Sequence, residues 1–540
     1  MRLARLLLLV VSHVVIALAA AAVPHEGFYG GGYGVAPDFT FTQIQLKADA
    51  NGAFTGALLQ PYNRVGKFAL VRIRIDGARM RFLSDIEGHT VGFDLTQTEI
   101  GYRGTASIDG RRQPASFVRR PAPAPPALLA TYEGTYALGH GKLLTLSRNN
   151  ASSGFWYVEL PSGRTGYLFN LSEREFVAGP CFYCVEPVRL RIAFDEDGRL
   201  HVTDRFGANR IVPRANLIRE EPVTFTSADG TQLAGTLYLP RSRGPHPAVV
   251  LLHGSNAQTR NGFYGMTRFM AEAYARRGIA ALAFDKRGTG QSKGDWETED
   301  LDALADDGAA AVKLLRTRSD IDPQRIGLSG SSQAGWVVML VTTRVPDLRL
   351  IQVQSGSPSI GVEEQERLRL VLQMRAEGYS QAEIDRALQI RGMMDAYAKT
   401  GQGYEELKAA YEPIEKTYWA SEFIGGLPGP DAPDWPWLRT VFRYNLIPQL
   451  ERYAGSMQFL FGQHDTPTPV AVAVPKLKTA LEHGATRDWM IEIVPDATHN
   501  HYVGRNGGDR EFPGLSRFVP GHFDRVVEWA AKRFGLAKRD

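Results

Sequence analysis

The segment Ile326–Trp336 constrains the fold of this chain more than any other stretch of its 540 residues. An apolar run leads into Gly330, one residue intervenes, and Ser332 is followed by Ala334 and an apolar helical pattern. A serine that is exposed on a strained turn from a strand to a helix needs small residues two positions before and after it, because larger side chains would collide within the turn. The segment therefore predicts a strand, a sharp turn with Ser332 at its apex, and a helix.

Ser332 is the candidate nucleophile of this turn. The helix that follows it adds partial positive charge where an oxyanion would form. Ala334 stands where glycine is more usual, but its methyl group is small enough for the turn. Ser329 and Ser331 are weaker candidates because neither lies at the apex, and a glycine–serine turn without chemical meaning is the alternative interpretation.

A serine hydroxyl needs a base that removes its proton, and the base needs a carboxylate that orients it. Both residue types occur downstream, each in a loop directly after an apolar strand pattern: Asp465 comes first and His499 second. The order serine, aspartate, histidine is typical of one class of parallel-sheet hydrolases. Local alternatives exist for the carboxylate and for the base, namely Asp496 and His501.

From residue 218 to residue 540, apolar strand patterns alternate with helical patterns after an initial hairpin around Asp229-Gly230. Alternating strands and helices imply an α/β fold with a mostly parallel, doubly wound sheet that is covered on both faces. The strand patterns are Ala248–Leu252, Ile279–Phe284, Ile326–Ser329, Leu350–Val353, Gln458–Phe461 and Met490–Val494.

Residues 361–446 interrupt this alternation with helical signals, among them the capping box Ser380–Glu383. The sequence predicts a helical lid inserted into the α/β domain. Aromatic residues of the lid, such as Trp435 and Trp437, more often pack a lid against its body than contact substrate.

Residues 23–217 form short alternating segments separated by Gly, Asn and Asp, which are typical of antiparallel strands and turns. Glu26–Tyr29 resembles Glu133–Tyr136, and the Pro-rich linker 121–126 lies between them. We interpret the region as a duplication of two β units, for which a structural role and a binding role are the two alternatives. The linker suggests modular folding, so residues 223–540 should keep activity on small esters without the β-rich region.

The amino terminus has the layout of a secretory signal peptide. Arg2 and Arg5 precede an apolar run, Leu6–Ala22, that ends in small residues. We expect cleavage near Ala22 and a soluble protein that is secreted or periplasmic, with an uncleaved membrane anchor as the alternative.

The charge balance excludes several partner classes. The 62 basic residues nearly balance the 58 acidic ones. The resulting net charge of +4 indicates no nucleic-acid partner and no stable membrane insertion. Cys181 and Cys184 are the two cysteines, and a local disulfide is expected in an oxidising compartment, with free thiols as the alternative. No clustered ligands indicate a metal site, and we expect no cofactor.

The region from about Val223 to Gly535 resembles the α/β-hydrolase superfamily, near its serine aminopeptidase, dienelactone hydrolase and bacterial esterase branches. The resemblance rests on four landmarks in order, which are His253-Gly254-Ser255, Asp285–Ser292, the turn at Ser332, and the loops of Asp465 and His499. It implies an oxyanion hole formed by the backbone amides of Ser255, with Asn256 as an alternative, and of Gln333. It also implies that Asp285 and Arg287 belong to a structural loop.

The chain is thus expected to be an exported serine hydrolase that cleaves a carboxylic ester through an acyl-enzyme. Two alternatives stay open. An aminopeptidase would need a carboxylate for the substrate ammonium, and Glu363, Glu364 and Glu366 at the lid entrance are candidates. A non-catalytic binding protein on a hydrolase scaffold is the other. The expected partner is a small ester or a short peptide, and the partner of the β-rich region stays unknown.

Overall fold

A computed structural model describes residues 25–537 of the protein, apart from 61–64, 87–88, 109, 123, 150–153, 204–206 and 418. Three eight-stranded sheets follow one another along this part of the chain. The expected signal peptide, residues 1–22, lies outside the described residues.

The first sheet is an antiparallel meander that closes into a barrel where β8 pairs with β1. Buried aromatic side chains, including Phe82, Phe93 and Phe117, fill its interior. Gly32 allows a close approach between strands, since a Cβ atom there would lie 1.9 Å from the carbonyl oxygen of Thr40. The strands are β1 (Gly27–Val35), β2 (Asp38–Ala48), β3 (Phe54–Gln60), β4 (Val65–Asp76), β5 (Arg79–Ile86), β6 (His89–Gln97), β7 (Gly101–Ile108) and β8 (Arg111–Arg120).

The second sheet is also antiparallel and follows the short helix α1 (Pro126–Tyr132). Its first strand begins at Gly134, the counterpart of Gly27 in the sequence repeat. Backbone hydrogen bonds from Ala137 to Pro213 and from Ala215 to Thr135 bring its two ends together. The strands are β9 (Gly134–Gly139), β10 (Lys142–Arg148), β11 (Phe155–Leu160), β12 (Arg164–Asn170), β13 (Glu175–Ala178), β14 (Leu190–Phe194), β15 (Leu200–Thr203) and β16 (Asn209–Val212).

The third sheet contains every strand that the sequence predicts after residue 218, in the spatial order β17-β18-β20-β19-β21-β22-β23-β24. The first two strands form the expected hairpin, and the other six run parallel. The strands are β17 (Ile218–Thr226), β18 (Gln232–Pro240), β19 (His246–Leu252), β20 (Ala280–Phe284), β21 (Ile321–Ser331), β22 (Leu350–Gln354), β23 (Ser456–His464) and β24 (Trp489–Thr498).

Helices pack on both faces of this sheet. Alternate residues of β19 therefore belong to different apolar clusters. Val250 and Leu252 pack with α3 (Leu301–Arg316) and α4 (Ala334–Arg344). Val249 and Leu251 pack with α2 (Met266–Arg276) and α11 (His522–Arg533). The helix α10 (Val470–His483) joins β23 to β24. None of the helices in the described part of the chain has both the length and the apolar composition needed to cross a membrane.

A helical insertion with its own apolar core lies between β22 and β23. The capping box is present, with Ser380 and Glu383 bonded reciprocally. The helices of this segment end with one that begins at Ile447, carries Pro448 in its first turn, and packs on α4 and α10 of the α/β part. They are α5 (Val362–Ala376), α6 (Gln381–Thr400), α7 (Tyr404–Tyr411), α8 (Asp434–Val441) and α9 (Ile447–Arg452), with 3-10 and π turns at Glu412–Ile414 and Ala420–Ile424.

The second sheet and the α/β part share one apolar core. Phe182 is fully buried, and its ring lies 4.6 Å from that of Phe512 and 5.4 Å from that of Tyr264. Backbone bonds join the two parts as well, from Phe182 to Leu515 and from Phe518 to Gly163. This continuity argues against independent folding of the α/β part, because that part alone would expose a large aromatic surface, and its activity without the β-rich region stays a prediction.

The disulfide between Cys181 and Cys184 closes the loop that carries this contact. It flanks Phe182 and Tyr183, which both pack into the shared core. The local disulfide expected from the sequence is therefore present.

We expect a fragment of residues 218–540 to be insoluble, or to unfold with a midpoint lower by on the order of 10 °C than the chain without residues 1–22. Phe182→Ala in the full chain tests the same contact, with an expected cost of about 3–5 kcal/mol. Thermal unfolding followed by circular dichroism measures both. A soluble fragment with an unchanged midpoint would show that the shared core contributes nothing to stability.

Candidate active site

Ser332 lies at the apex of the turn between β21 and α4, as the sequence predicts. Its φ angle is 57°, in the left-handed region that a non-glycine residue adopts at a cost. The strained backbone is held by a bond from its amide to the carbonyl of Gln354 (2.9 Å) and by one from the amide of Gly335 to its own carbonyl (2.8 Å). The turn therefore presents the side chain of Ser332 above the carboxyl end of the sheet.

The small neighbours of Ser332 have a direct steric explanation. A Cβ atom on Gly330 would lie 2.5 Å from the Cβ atom of Ala334, so these two positions touch across the turn. A Cβ atom on Gly356 would lie 2.3 Å from the carbonyl oxygen of Ser332. The methyl group of Ala334 is accommodated because Gly330 has no side chain.

Asp465 and His499 are joined by a hydrogen bond. The distance from His499 Nδ1 to Asp465 Oδ1 is 2.7 Å, and the same oxygen accepts the amide of Thr468 at 2.8 Å. The Asp465 side chain is fully buried, whereas 18% of the His499 side chain is exposed. Asp465 follows β23, which pairs with β22, and His499 follows β24, the next parallel strand, so both residues lie at the same edge of the sheet as Ser332.

The alternative residues lie in other surroundings. The carboxylate of Asp496 is exposed, and no contact among the described residues joins it to His499. His501 is buried, with Nε2 3.4 Å from Ser355 Oγ. Ser329 is buried within β21, and Ser331 is its last residue.

The two residues expected to form an oxyanion hole lie on one cavity. Ser255 follows Gly254, whose Cα carries no side chain next to Ser332: a Cβ atom there would lie 3.4 Å from the Cβ atom of Ser332. Gln258 donates to the carbonyl of Ser255 (2.9 Å) and so closes this loop. Gln333 directly precedes α4 and faces the same cavity.

This cavity has a volume of about 370 Å³ and lies between the sheet edge and the helical insertion. Trp437 of α8 closes one side, and its indole nitrogen donates to the carbonyl of Glu299 (2.9 Å). Trp435, in contrast, is buried in the core of the insertion. The cavity is lined by Ser255, Asn256, Lys286, Trp296–Glu299, Leu301, Leu304, Gln333, Pro433, Asp434 and Trp437.

Sequence reasoning missed Lys286, which lies on the floor of this cavity and is only 2% exposed. It stands between Asp285 and Arg287, the two residues assigned to a structural loop. That assignment agrees with their contacts, since Asp285 pairs with Arg260 and Arg287 pairs with Asp307 in buried surroundings. A signal existed in the sequence, because a lysine directly after an apolar strand must find polar partners at the end of the sheet.

The acidic residues at the entrance of the insertion all have basic partners. Lys399 bonds to both carboxylate oxygens of Glu363 at 2.6 Å, and Lys476 bonds to both oxygens of Glu364 at 2.7 Å. Glu366 accepts from Arg369 at 2.8 Å. Each carboxylate is therefore already neutralised by a cation of the protein itself.

Residues 229–410 match the X-Pro dipeptidyl-peptidase (S15 family). The uncharacterized protein YfhR of Escherichia coli O157:H7 is 31% identical over 170 residues, which are 31% of this chain and 52% of that protein. Thiohydrolase aneE of Aspergillus aculeatus is 39% identical over 114 residues, 21% of this chain and 34% of that enzyme. The chain thus spans about half the length of the first relative and a third of the second.

The third sheet and its helices form an α/β-hydrolase domain. Its fold, the turn at Ser332 and the family match over residues 229–410 agree on this assignment. The crystal structure of hypothetical protein PA2218 from Pseudomonas aeruginosa covers 59% of this chain and 95% of that chain, at 19% identity and a TM-score of 0.37.

The loop after His499 in the hydrolase domain is held from two sides. Arg505 pairs with Asp38 of the first sheet at 2.5 Å. Asn506 donates to the carbonyl of Ala376 in α5 (2.9 Å), and the amide of Arg510 donates to Glu377 (2.9 Å). The first sheet and the helical insertion therefore both contact the segment that carries the histidine.

Two further histidines lie behind His499 in a small cavity of about 50 Å³. The rings of His501 and His522 are 5.0 Å apart, and both side chains are buried. Burial lowers the pKa of His522 from 6.5 to about 3 and holds the pKa of His501 well below its usual value. Within the described part of the chain, neither ring nitrogen of His522 has a hydrogen-bond partner. Both rings are therefore neutral in the folded protein at neutral pH.

These two histidines should make the protein sensitive to acid. Below pH 6.5 the unfolded chain binds a proton at His522, whereas the folded protein binds it only near pH 3. The free energy of unfolding therefore decreases as the pH is lowered from 6.5 to about 3. The expected loss is about 2 kcal/mol by pH 5 from this residue alone. Urea unfolding at pH 7.5 and pH 5 measures it.

His522→Phe keeps a flat ring against Phe518 and should reduce the acid sensitivity, whereas the exposed control His483→Gln should leave it unchanged. An equal acid sensitivity in wild type and His522→Phe would show that the loss arises elsewhere.

Proposed function

We propose that this protein is a serine hydrolase that cleaves carboxylic esters through an acyl-enzyme, with Ser332 as nucleophile, His499 as general base and Asp465 as the residue that orients it. One observation carries the proposal. The bond of 2.7 Å between His499 Nδ1 and Asp465 Oδ1 lies at the sheet edge above which the strained turn presents Ser332.

The mechanism follows from the donor and acceptor roles in this arrangement. The hydrogen bond to Asp465 fixes a proton on Nδ1 of His499, so Nε2 carries the lone pair that accepts a proton from Ser332 Oγ. As this proton leaves, Oγ bonds to the ester carbonyl carbon, and the backbone amides of Ser255 and Gln333 stabilise the oxyanion. Each such donor lowers the barrier by roughly 3 kcal/mol.

The second half of the reaction returns the enzyme to its starting state. The imidazolium of His499 gives its proton to the leaving oxygen as the ester C–O bond breaks. A water molecule then attacks the acyl-enzyme, and His499 takes one proton from the water and returns it to Ser332. The products are an alcohol and a carboxylic acid, and no redox step occurs.

Ester cleavage is favoured over aminopeptidase activity by the ion pairs of the helical insertion. A substrate ammonium needs a carboxylate that is not already neutralised. Glu363, Glu364 and Glu366 are each bonded to a lysine or an arginine, so binding an ammonium there would break an existing pair.

Peptide hydrolysis is the second candidate, and the match of residues 229–410 to the X-Pro dipeptidyl-peptidase family supports it. The same serine, histidine and aspartate would carry that reaction. A non-catalytic binding protein on this scaffold is the alternative of another class, and the Asp465–His499 bond speaks against it.

The helical insertion is proposed to act as a lid. Its helix α8 closes one side of the 370 Å³ cavity through Trp437, and this volume suits a small-molecule ester or a short peptide. Leu301 and Leu304 add apolar side chains to its lining. We propose no role for nucleic acid or for stable membrane insertion.

Export to the periplasm or the medium, with cleavage near Ala22, is also a proposal. Arg2, Arg5 and the apolar run Leu6–Ala22 support it. The disulfide between Cys181 and Cys184 is typical of oxidising compartments.

The proposal predicts that the purified protein hydrolyses p-nitrophenyl esters of graded acyl length faster than aminoacyl or X-Pro p-nitroanilides. Ser332→Ala should lower kcat by on the order of 10⁶ and leave the fold intact, because the hydroxyl makes the covalent bond. Ser331→Ala is the matched control on the same turn. Activity of Ser332→Ala within tenfold of wild type would reject the nucleophile, and faster anilide cleavage would favour the peptidase.

Asp465→Asn should depress kcat/KM by up to about 10⁴ through loss of the oriented imidazole tautomer. Asp496→Asn, an exposed residue near the end of β24 and close to His499 in the sequence, should stay near wild type. Steady-state kinetics on the best ester compare the two variants. If Asp496→Asn lowered kcat/KM and Asp465→Asn did not, Asp496 would be the orienting carboxylate.

A further inference from the structure

The ammonium group of Lys286 joins the two sides of the proposed oxyanion hole. Its Nζ donates to the carbonyl oxygens of Gly254 (3.0 Å) and Asn256 (3.1 Å), which flank Ser255. It donates a third bond to the side-chain oxygen of Gln333 (3.1 Å). The three N–H donors of this ammonium therefore link Gly254 and Asn256, the two neighbours of Ser255, to Gln333. Ser255 and Gln333 are the residues whose backbone amides are proposed to form the oxyanion hole.

The backbone of Lys286 is fixed from the same loop. Its amide donates to the carbonyl of Gln258 (3.0 Å), while the side chain of Gln258 holds the carbonyl of Ser255. Only Asp285 separates Lys286 from β20, so its main chain is anchored close to the parallel sheet. The cross-link thus transmits the rigidity of the sheet to an exposed loop.

Among the residues that the structure describes, no carboxylate is in hydrogen-bond contact with the ammonium of Lys286. Its three acceptors are neutral carbonyl or amide oxygens, and the ring of Trp296 lies 5.5 Å away. In a site that is 98% shielded from solvent, such a charge is weakly screened. Its field favours negative charge that develops on the far side of the Gly254–Asn256 loop.

We propose that Lys286 is a positioning residue of the hydrolytic reaction. Its ammonium holds the Gly254–Asn256 loop and Gln333 in fixed relative positions and places a positive charge behind the oxyanion. This inference rests on the proposed function of Ser332. It assigns no proton transfer to the lysine, since all three of its hydrogens are already donated.

Titration of the ammonium gives this role a measurable signature. Burial lowers the pKa of Lys286 from 10.5 to about 8, and Asp307 of α3 opposes the shift. Above that pH the neutral amine keeps two hydrogens for three acceptors, so the cross-link and the charge are lost together. His253 also faces the lysine. The acidic residues that line the same cavity are Glu297, Glu299 and Asp434.

Lys286→Met removes the donors and the charge, Lys286→Arg keeps a charge that does not titrate, and Lys293→Met is the matched control in the same loop. Lys293 is exposed and follows Ser292. We expect Lys286→Met to lower kcat on the best ester by on the order of 10² while KM stays within threefold, because the effect appears in the transition state. Lys293→Met should match wild type.

The pH profile separates positioning from a purely structural role. Wild-type kcat should fall as pH rises through about 8, and this limb should disappear in Lys286→Arg. If Lys286→Met does not fold, the profiles of wild type and Lys286→Arg decide the question. A kcat for folded Lys286→Met within threefold of wild type, or an alkaline limb that persists in Lys286→Arg, would overturn the proposal.

A fluorophosphonate probe distinguishes this failure from failure of the proposed function. A wild type that is labelled at Ser332 and hydrolyses esters, combined with unaffected lysine variants, overturns only the role of Lys286. A wild type that is neither labelled nor active overturns both proposals.

Discussion

The strained backbone at Ser332 is the constraint on which the rest of the hydrolase domain depends. A non-glycine residue with a φ of 57° persists only when its surroundings hold it in place. Three features do so here: the bond to Gln354 of the neighbouring strand, the start of α4 at Ala334, and the missing side chains at Gly330 and Gly356. The sheet must be parallel and closely packed at this point, because β22 supplies the acceptor for the Ser332 amide.

The same sheet edge collects the remaining polar residues of the site. Asp465 and His499 follow β23 and β24, and Lys286 follows β20. The carboxyl ends of parallel strands lie at one edge, which is where open α/β sheets bind ligands. The histidines at this edge lie in different electrostatic surroundings. Asp465 fixes one imidazole by a hydrogen bond, whereas burial keeps His501 and His522 uncharged behind it.

Much of this architecture could be predicted from local sequence. The parallel strands appear as short apolar runs, the capping box marks the start of α6, and the steric demands of the Ser332 turn leave a pattern of small residues. The order of the serine, aspartate and histidine loops follows from the topology. These features are readable because each depends on neighbours within a few residues.

Features that depend on distant contacts were not predictable. Lys286 looked like part of a structural loop because its partners Gly254 and Gln333 are far from it in the sequence. The Pro-rich linker suggested separate modules, yet Phe182 packs on Phe512 across the boundary. The short helix that begins at Ile447 was not indicated by the sequence, because it carries a proline in its first turn and has no apolar periodicity of its own.

The contact between Phe182 and the segment 512–518 joins a part of the chain that is synthesised before the serine turn to a part that is synthesised after it. Because translation proceeds from the amino terminus, the second sheet can fold while the histidine loop is still inside the ribosome or not yet made. The apolar surface of its aromatic loop is then still exposed to solvent. Tyr264 and Phe512 both pack against this loop, so its cover is completed only when the segment that follows His499 has been made. The cover of this aromatic loop and the base of the proposed site are therefore supplied by the same late segment, and a polypeptide that stops after the serine turn lacks the base.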